Sequence, residues 1–136
     1  MTKDHQDTNE ILDLVLKESI KGYVDKESIA VVTEMLKRHI YIEEEILFPM
    51  LPPESNRDVN FLEMQHGEVF RLLKFLNSNN NSADLISDIS KKLLDILIEH
   101  NAFEESFIYG NFDKMDAAFI EKAVLPADWK CRYAGY

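Results

Sequence analysis

The chain has few of the features that mark a secreted or membrane-bound protein. Its 136 residues include a single cysteine, Cys131, so no intrachain disulfide can form, as is usual in a reducing compartment. Its apolar runs are all shorter than a membrane span. The N-terminal segment, MTKDHQDTNE, is polar and contains no signal-peptide core. We therefore expect a cytoplasmic protein that has no membrane partner.

Basic residues are also in deficit. Lysine and arginine number 15 against 25 aspartates and glutamates, which gives a formal net charge of -10. A surface of this charge repels phosphate backbones, so we expect no nucleic-acid partner, although acidity alone identifies no protein partner. The length predicts one domain over residues 1–136, and the 46% hydrophobic content is sufficient for a core.

Glycine and proline are scarce, and most of them interrupt a helical pattern of apolar residues. The breaks fall at Gly22, at Pro49, Pro52 and Pro53, and at the run NSNNNS over 77–82. Gly67 is the exception, because it lies within a helical pattern. Between the breaks the apolar periodicity predicts helices at about 3–21, 26–48, 57–77 and 83–109. A shorter helix is predicted from Met115 to Val124, ended by Pro126.

The connections between these helices are short, which favours an all-α fold, an up-down-up-down antiparallel four-helix bundle. The bundle would occupy about residues 3–110, followed by the short helix and a tail over 111–136. Asp25 and Ser82 are the predicted N-caps of the second and fourth helices. The predicted inner faces include Leu12, Val15, Leu16 and Ile20 in the first helix, and Leu85, Ile89, Leu93, Ile96, Leu97, Phe103 and Phe107 in the fourth.

The four histidines, His5, His39, His66 and His100, each fall on the apolar face of a different predicted helix. The separation in sequence between the first two equals the separation between the last two. The two halves of the chain therefore superpose when the first pair is laid on the second, an internal repeat that aligns HIYIEEEILF with HNAFEESFIY. Imidazoles in a core need partners for their nitrogens, so a matched set of four requires an explanation.

The positions of the turns predict that the four imidazoles meet. In an antiparallel hairpin, residues equidistant from the turn face each other. The midpoints between successive histidines fall at Gly22, between Pro52 and Pro53, and beside the asparagine-rich break. All three are predicted turns, so the imidazoles should lie at one level of the bundle.

Two glutamates accompany the histidines. Glu43 lies one helical turn after His39, and Glu104 lies one turn after His100, so each pair shares a helix face. Two buried carboxylates are costly unless cations neutralise them. Imidazole and carboxylate ligands suit iron, manganese or zinc, and the lack of thiolates argues against a closed structural zinc site.

These residues make the chain resemble the hemerythrin-like, or HHE cation-binding, family. The resemblance rests on HIYIEEEILFP, on its near-copy HNAFEESFIYG and on single histidines in the first and third helices, and it covers about residues 3–120. It implies two irons joined by an oxo or hydroxo bridge, with zinc or manganese as substitutes. The implied ligands are His5, His39, Glu43, His66, His100 and Glu104, the two glutamates bridging. One coordination position on each iron would be open to dioxygen, nitric oxide or peroxide.

The sequence departs from parts of the family pattern. Oxygen carriers of the family have a further histidine one turn after that of the third helix, where this chain has Phe70; the matching position in the first helix is Asn9. The set is closer to that of di-iron proteins that repair iron–sulfur clusters, but their cysteine-containing N-terminal segment is missing. The tail, LPADWKCRYAG, resembles a rubredoxin metal knuckle with Ala134 at the second cysteine position, and we interpret it as packing or a remnant.

Three functions are compatible with this pattern. The first is a module that binds oxygen, nitric oxide or iron for sensing or storage. The second is an enzyme-like role in removing peroxide or nitric oxide, or in cluster repair. The third is a metal-free helical interaction domain. Glu44, Glu45 and Glu105 are interpreted as solvated or as hydrogen-bond partners of the ligands, and Tyr41 and Tyr109 as core or rim residues.

Overall fold

The computed structural model describes residues 2–78, 81–112 and 120–134. Within these ranges the regular structure is helical and contains no strand. The four long helices are α1 (Thr2–Ile20), α2 (Lys26–Ile42), α3 (Asn56–Leu76) and α4 (Ala83–Phe107). The prediction of four helices is therefore confirmed. None of the described helices is both long and apolar enough to cross a membrane.

The predicted helix starts and the first turn are confirmed. The Asp25 carboxylate accepts a hydrogen bond from the Ser28 N–H at 3.0 Å, and the Ser82 hydroxyl accepts one from the Leu85 N–H at 3.2 Å. Each bond satisfies a backbone donor that the first turn of a helix leaves free. Gly22 ends α1 with a φ of 92°, a conformation that favours glycine.

The second predicted helix is not uniformly α-helical. After Ile42 the backbone widens into a π-helical turn over Glu43–Leu47, where the Phe48 N–H bonds to the Glu43 carbonyl, and then tightens into a 3-10 turn over Phe48–Met50. Pro49 has no N–H to continue an α-helix, which explains the change of winding. A second 3-10 turn, Pro53–Ser55, precedes α3. Likewise α4 ends at Phe107, and a 3-10 turn follows over Tyr109–Phe112.

The helices bury two apolar clusters. Each of α1 and α3 packs against both α2 and α4. The first cluster includes Leu12, Val15, Leu36, Val69 and Leu97; the second includes Ile42, Leu47, Phe48, Leu62 and Ile108. Three residues placed on the inner faces by periodicity, Ile20, Leu85 and Phe107, are instead exposed. All three lie in the first or last turn of their helix.

The C-terminal segment folds back onto α2 and α3. Residues 113–119, and with them the first half of the predicted helix from Met115 to Val124, lie outside the described residues. Cys131 is buried in the first cluster, and the Arg71 guanidinium donates to the Tyr133 carbonyl at 3.0 Å. A Cβ added at Gly67 would lie 2.8 Å from the Tyr133 carbonyl carbon. The glycine within α3 therefore permits close approach of the tail backbone.

Candidate metal centre

The fold brings all six predicted site residues together. They form two groups, His5, His39, Glu43 and Glu104, and His66, His100, Glu43 and Glu104. In each group one potential ligand atom from every residue lies within 4.8 Å of the others, and all six side chains are buried. Glu43 and Glu104 belong to both groups. Residues from each of the four long helices thus supply two adjoining sets of nitrogen and oxygen donors.

The Nε2 atoms of the imidazoles face one another in pairs. Those of His5 and His39 are 3.0 Å apart, and those of His66 and His100 are 3.2 Å apart. Glu43 reaches both pairs, since its Oε1 lies 3.0 Å from the His66 Nε2 and its Oε2 lies 3.5 Å from the His39 Nε2. Oε1 of Glu104 lies 3.3 Å from the His5 Nε2 and 3.0 Å from the His100 Nε2. The two carboxylates are therefore shared by the two pairs.

The outer nitrogen of every imidazole also has an oxygen partner. His5 Nδ1 lies 3.1 Å from Glu105, and His66 Nδ1 lies 2.7 Å from Glu44. His39 Nδ1 lies 3.3 Å from Asp4, and His100 Nδ1 lies 2.7 Å from the Gln65 side-chain oxygen. A carboxylate or amide oxygen can only accept here, so each Nδ1 donates, and a neutral imidazole then has its lone pair on Nε2. This arrangement is the usual one for histidines that bind a metal through Nε2.

Two of these outer partners, Asp4 and Gln65, were missed in the sequence, although a signal for them existed. The internal repeat that aligns the histidines also carries Asp4 onto Gln65. Each precedes a histidine on its own helix but contacts the imidazole of a different helix. Glu44 and Glu105 are hydrogen-bond partners of the imidazoles, one of the two roles considered for them, and Glu44 is not solvated but buried.

Glu44 also connects the centre to the C-terminal tail. Its carboxylate accepts hydrogen bonds from the Cys131 thiol at 3.4 Å and from the Arg132 N–H at 3.3 Å, besides the one from His66. Burial raises the pKa of Cys131 to about 12, and the Glu44 charge adds to this effect, so the thiol stays protonated and can donate. The tail thereby fixes the carboxylate that orients His66. The tail therefore has a packing role, which is one of the two interpretations considered for it.

The buried carboxylates titrate as an interacting pair. Burial opposes the charge of Glu43, but the positive charge of His39 and hydrogen bonds from Glu104 and the imidazoles hold its pKa well below the ordinary value. Burial and the Glu43 charge raise the pKa of Glu104 to about 8. The pair therefore retains one proton at neutral pH, as expected for two carboxylates in contact in a poorly solvated site.

The pKa values of the site imidazoles are also shifted in opposite directions. Burial favours neutral histidine, but the Glu43 charge and the Asp4 hydrogen bond raise the pKa of His39 to about 10. For His66 the hydrogen bonds to Glu43 and Glu44 overcome burial and raise the pKa to about 9. Burial, together with the positive charge of His66, lowers the pKa of His100 to about 3. In the absence of metal, protons on the imidazoles therefore balance the negative charge of the carboxylates, and a bound cation can replace these protons.

Among the described residues, one oxygen of the candidate centre has no hydrogen-bond partner. Oε2 of Glu104 is buried and has no hydrogen-bond partner among the described residues, while the other oxygen of the same carboxylate is shared by two imidazoles. An unpartnered carboxylate oxygen in the interior is costly, and coordination to a cation removes that cost. The donor set of four imidazoles and two carboxylates is also one that suits iron, manganese or zinc. The side chains therefore fit a metal centre.

A small apolar cavity adjoins the imidazoles. It measures about 10 Å³ and is lined by the four histidines and by Leu36, Ile40, Val69, Leu97, Thr8 and Asn101. The Nδ2 of Asn101 is buried and has no hydrogen-bond partner in the described part of the chain. A cavity of this volume has room for at most about one water-sized molecule. A larger cleft of about 590 Å³ between α2 and α3 contains none of the six site residues.

Comparison with known proteins does not assign this chain to a family. No family model, curated protein or solved structure matches the chain. The resemblance to hemerythrin-like proteins therefore remains a prediction from the paired motif. What is established is an all-helical protein with two adjoining buried groups of histidine and glutamate that can hold metal ions.

Proposed function

We propose that this protein is a hemerythrin-like di-iron protein that binds, or reacts with, a small ligand such as dioxygen, nitric oxide or peroxide. One observation carries the proposal: four imidazoles, each anchored through Nδ1 to a different oxygen acceptor, turn their Nε2 atoms towards two shared, buried carboxylates. A structural histidine needs no such convergence. Two ions are favoured over one because the donors form two groups that share only the glutamates.

We further propose that the helices form an up-down-up-down antiparallel bundle around this centre. The order of the two apolar clusters supports it. Along α2 the chain runs from the first cluster to the second, along α3 it returns, and along α4 it runs from the first to the second again. In α1 the chain passes from His5 into the first cluster, which gives α1 the direction of α3. The metal centre would then be a polar layer between two apolar layers.

In this account each side chain has a defined task. His5 and His39 would hold one ion, His66 and His100 would hold the other, and Glu43 and Glu104 would serve both. The outer oxygen acceptors fix the ring orientations and increase the basicity of the Nε2 atoms. When bound, an iron pair supplies electrons and open coordination positions for a small ligand. The apolar cluster beside it excludes water and competing ligands.

The small cavity supports the choice of ligand. It touches all four imidazoles, and its volume of about 10 Å³, about that needed by one water-sized molecule, excludes an organic substrate. The surface exposed to the cavity is mainly apolar, which favours a ligand of low polarity. Asn101 also lies in the lining, and its unpartnered amide nitrogen can donate a hydrogen bond to a ligand oxygen.

The proposal is tested by metal content. The purified protein, loaded with ferrous iron under argon and desalted, should retain two irons per chain. Glu43→Gln and Glu104→Gln keep the shape of the side chain but remove its charge, so each variant should lose most of the iron. Glu34→Gln, which changes an exposed glutamate of α2, is the matched control and should retain the wild-type content.

Two results would count against the proposal. One is wild-type protein that retains no metal yet stays folded, which would favour a metal-free interaction domain. The other is equal iron content in all three variants. Rapid mixing of the ferrous protein with oxygen then separates the two roles, since a reversible spectral change indicates binding and an irreversible oxidation indicates reactivity.

A further inference from the structure

The hydroxyl of Tyr109 lies inside the first group of metal donors. Its oxygen is 2.8 Å from the His5 Nε2 and 3.2 Å from the His39 Nε2. It is also 2.8 Å from Glu43 Oε2 and 3.3 Å from Glu104 Oε1. All four atoms are donors of the group formed by His5, His39, Glu43 and Glu104. The tyrosine comes from the 3-10 turn after α4.

In the state that can bind a metal, with both imidazoles neutral and both carboxyl groups ionised, hydrogen bonding alone does not satisfy these four contacts. A phenol has one proton and can donate a single hydrogen bond. In that state its neighbours are two carboxylate oxygens and two Nε2 lone pairs, so four acceptors surround one donor. A cation at the centre of the five atoms satisfies all of them at once.

The distances also match a coordination polyhedron. Metal–oxygen and metal–nitrogen bonds of about 2.1 Å give an octahedron with edges of about 3 Å. The Tyr109 oxygen lies 2.8 to 3.3 Å from each of the other four donor atoms. His5 Nε2 and His39 Nε2 are themselves 3.0 Å apart. The phenol oxygen thus occupies the place of a fifth ligand.

The second group has no such oxygen among the described residues. The internal repeat aligns Tyr109 with Phe48, whose ring is stacked parallel to the His66 imidazole at 5.8 Å between centroids. The outer hydrogen-bond acceptors also make the first group more negative, because His39 bonds to the charged Asp4 whereas His100 bonds to the neutral Gln65. Additional negative charge and a hard oxygen donor are therefore concentrated on one side of the centre.

We propose that Tyr109 is a seventh side chain of the metal centre, and that its phenolate oxygen binds the ion held by His5 and His39. This inference rests on the proposed metal binding. Burial and the charges of Glu43 and Glu104 raise the pKa of Tyr109, so the phenol keeps its proton until a cation binds; coordination would release that proton, because the charge of the cation stabilises the phenolate. The two ions then differ, and the one beside Tyr109 is the better site for a ferric ion.

Spectroscopy of the iron-loaded protein, after its iron has been oxidised by air to iron(III), tests the inference without an activity assay. Iron(III) bound to phenolate has a visible charge-transfer band, and resonance Raman excitation within that band enhances vibrations of the tyrosine ring. Both signals are expected in the wild type and should be lost in Tyr109→Phe. Tyr41→Phe is the matched control, because Tyr41 packs edge-on against Trp129 away from the centre and should leave both signals intact.

A second measurement uses zinc in place of iron. Zinc binding should produce the ultraviolet difference spectrum of one tyrosinate per chain in the wild type and in Tyr41→Phe, and none in Tyr109→Phe. Wild-type protein that binds two metals without either tyrosinate signal would overturn the role of Tyr109 and leave the metal centre standing. Persistence of the signals in Tyr109→Phe would also overturn it. Protein that binds neither metal would overturn both proposals.

Discussion

The two nitrogens of each site histidine have different partners. In all four imidazoles Nδ1 meets an oxygen acceptor on the outer side, and Nε2 faces the carboxylates within. The outer bond fixes the ring orientation, so Nε2 is directed inward before any ion arrives and presents its lone pair once its proton is released. The same bond acts on Asp4, because the hydrogen bond from His39 stabilises the Asp4 carboxylate and lowers its pKa.

Metal affinity should rise with pH because protons and cations compete for these atoms. His39, His66 and Glu104 have pKa values of about 10, 9 and 8, so all three are protonated at pH 7. A metal ion can bind only if these protons are released. For each proton released, the affinity falls about tenfold for every unit by which the pH drops below the pKa of that group. The affinity should therefore fall as the pH is lowered from 8 to 6.

Calorimetric titration with zinc measures this linkage. Titrations at pH 7 in two buffers of different ionisation enthalpy give the number of protons released. Release of two or more protons is expected, with the affinity increasing between pH 6 and 8. A binding constant that is independent of pH over that interval would show that the ion does not bind at these residues.

Among the elements, the end of α2 and the C-terminal tail differ most from what periodicity predicts. The π-helical turn begins at Glu43, the residue proposed to join the two ions, and π-turns occur often at functional sites. The tail backbone approaches α3 closely at residue 67, where a side chain would overlap the Tyr133 carbonyl. Its Arg132 N–H and Cys131 thiol then hold Glu44 against His66.

Replacing Gly67 with alanine should release the tail. The new Cβ would overlap the Tyr133 carbonyl, and overpacking of this kind costs about 1–3 kcal/mol. The tail can avoid that cost by detaching, which exposes Cys131. A free-energy change of about 1.4 kcal/mol corresponds to a factor of ten, so thiol labelling of Cys131 should be about tenfold faster or more.

The prediction is checked by measuring the rate of thiol labelling at Cys131 in the folded wild type and in Gly67→Ala. Gly110→Ala is the control, because a Cβ at residue 110 meets nothing within 4 Å, and its rate should equal that of the wild type. Equal rates in Gly67→Ala and the wild type would mean that the tail does not depend on this contact.

At the scale of the whole molecule, the internal repeat organises the centre. It relates not only the six proposed ligands but also their outer acceptors, Asp4 with Gln65 and Glu44 with Glu105. The repeat is broken at Phe48 and Tyr109, and there the two halves of the centre differ most. The two proposed metal positions are thus related but unequal.

The repeat explains why so much of the centre could be predicted from sequence. Histidine spacing, helix periodicity and turn residues are local properties, and together they identified the six residues that converge. The acceptors of the Nδ1 atoms depend on how neighbouring helices are rotated, which periodicity does not specify. Tyr109 lies past the end of α4, where helical spacing no longer applies. The contact between Gly67 and Tyr133 joins distant parts of the chain and leaves no periodic signal.

The most direct test of the metal centre is anomalous diffraction at the iron absorption edge, from crystals of protein loaded with ferrous iron. We predict two anomalous peaks, one among His5, His39 and the two glutamates and the other among His66, His100 and the same glutamates. A map without peaks at these positions, or with iron only on the acidic surface, would contradict the account.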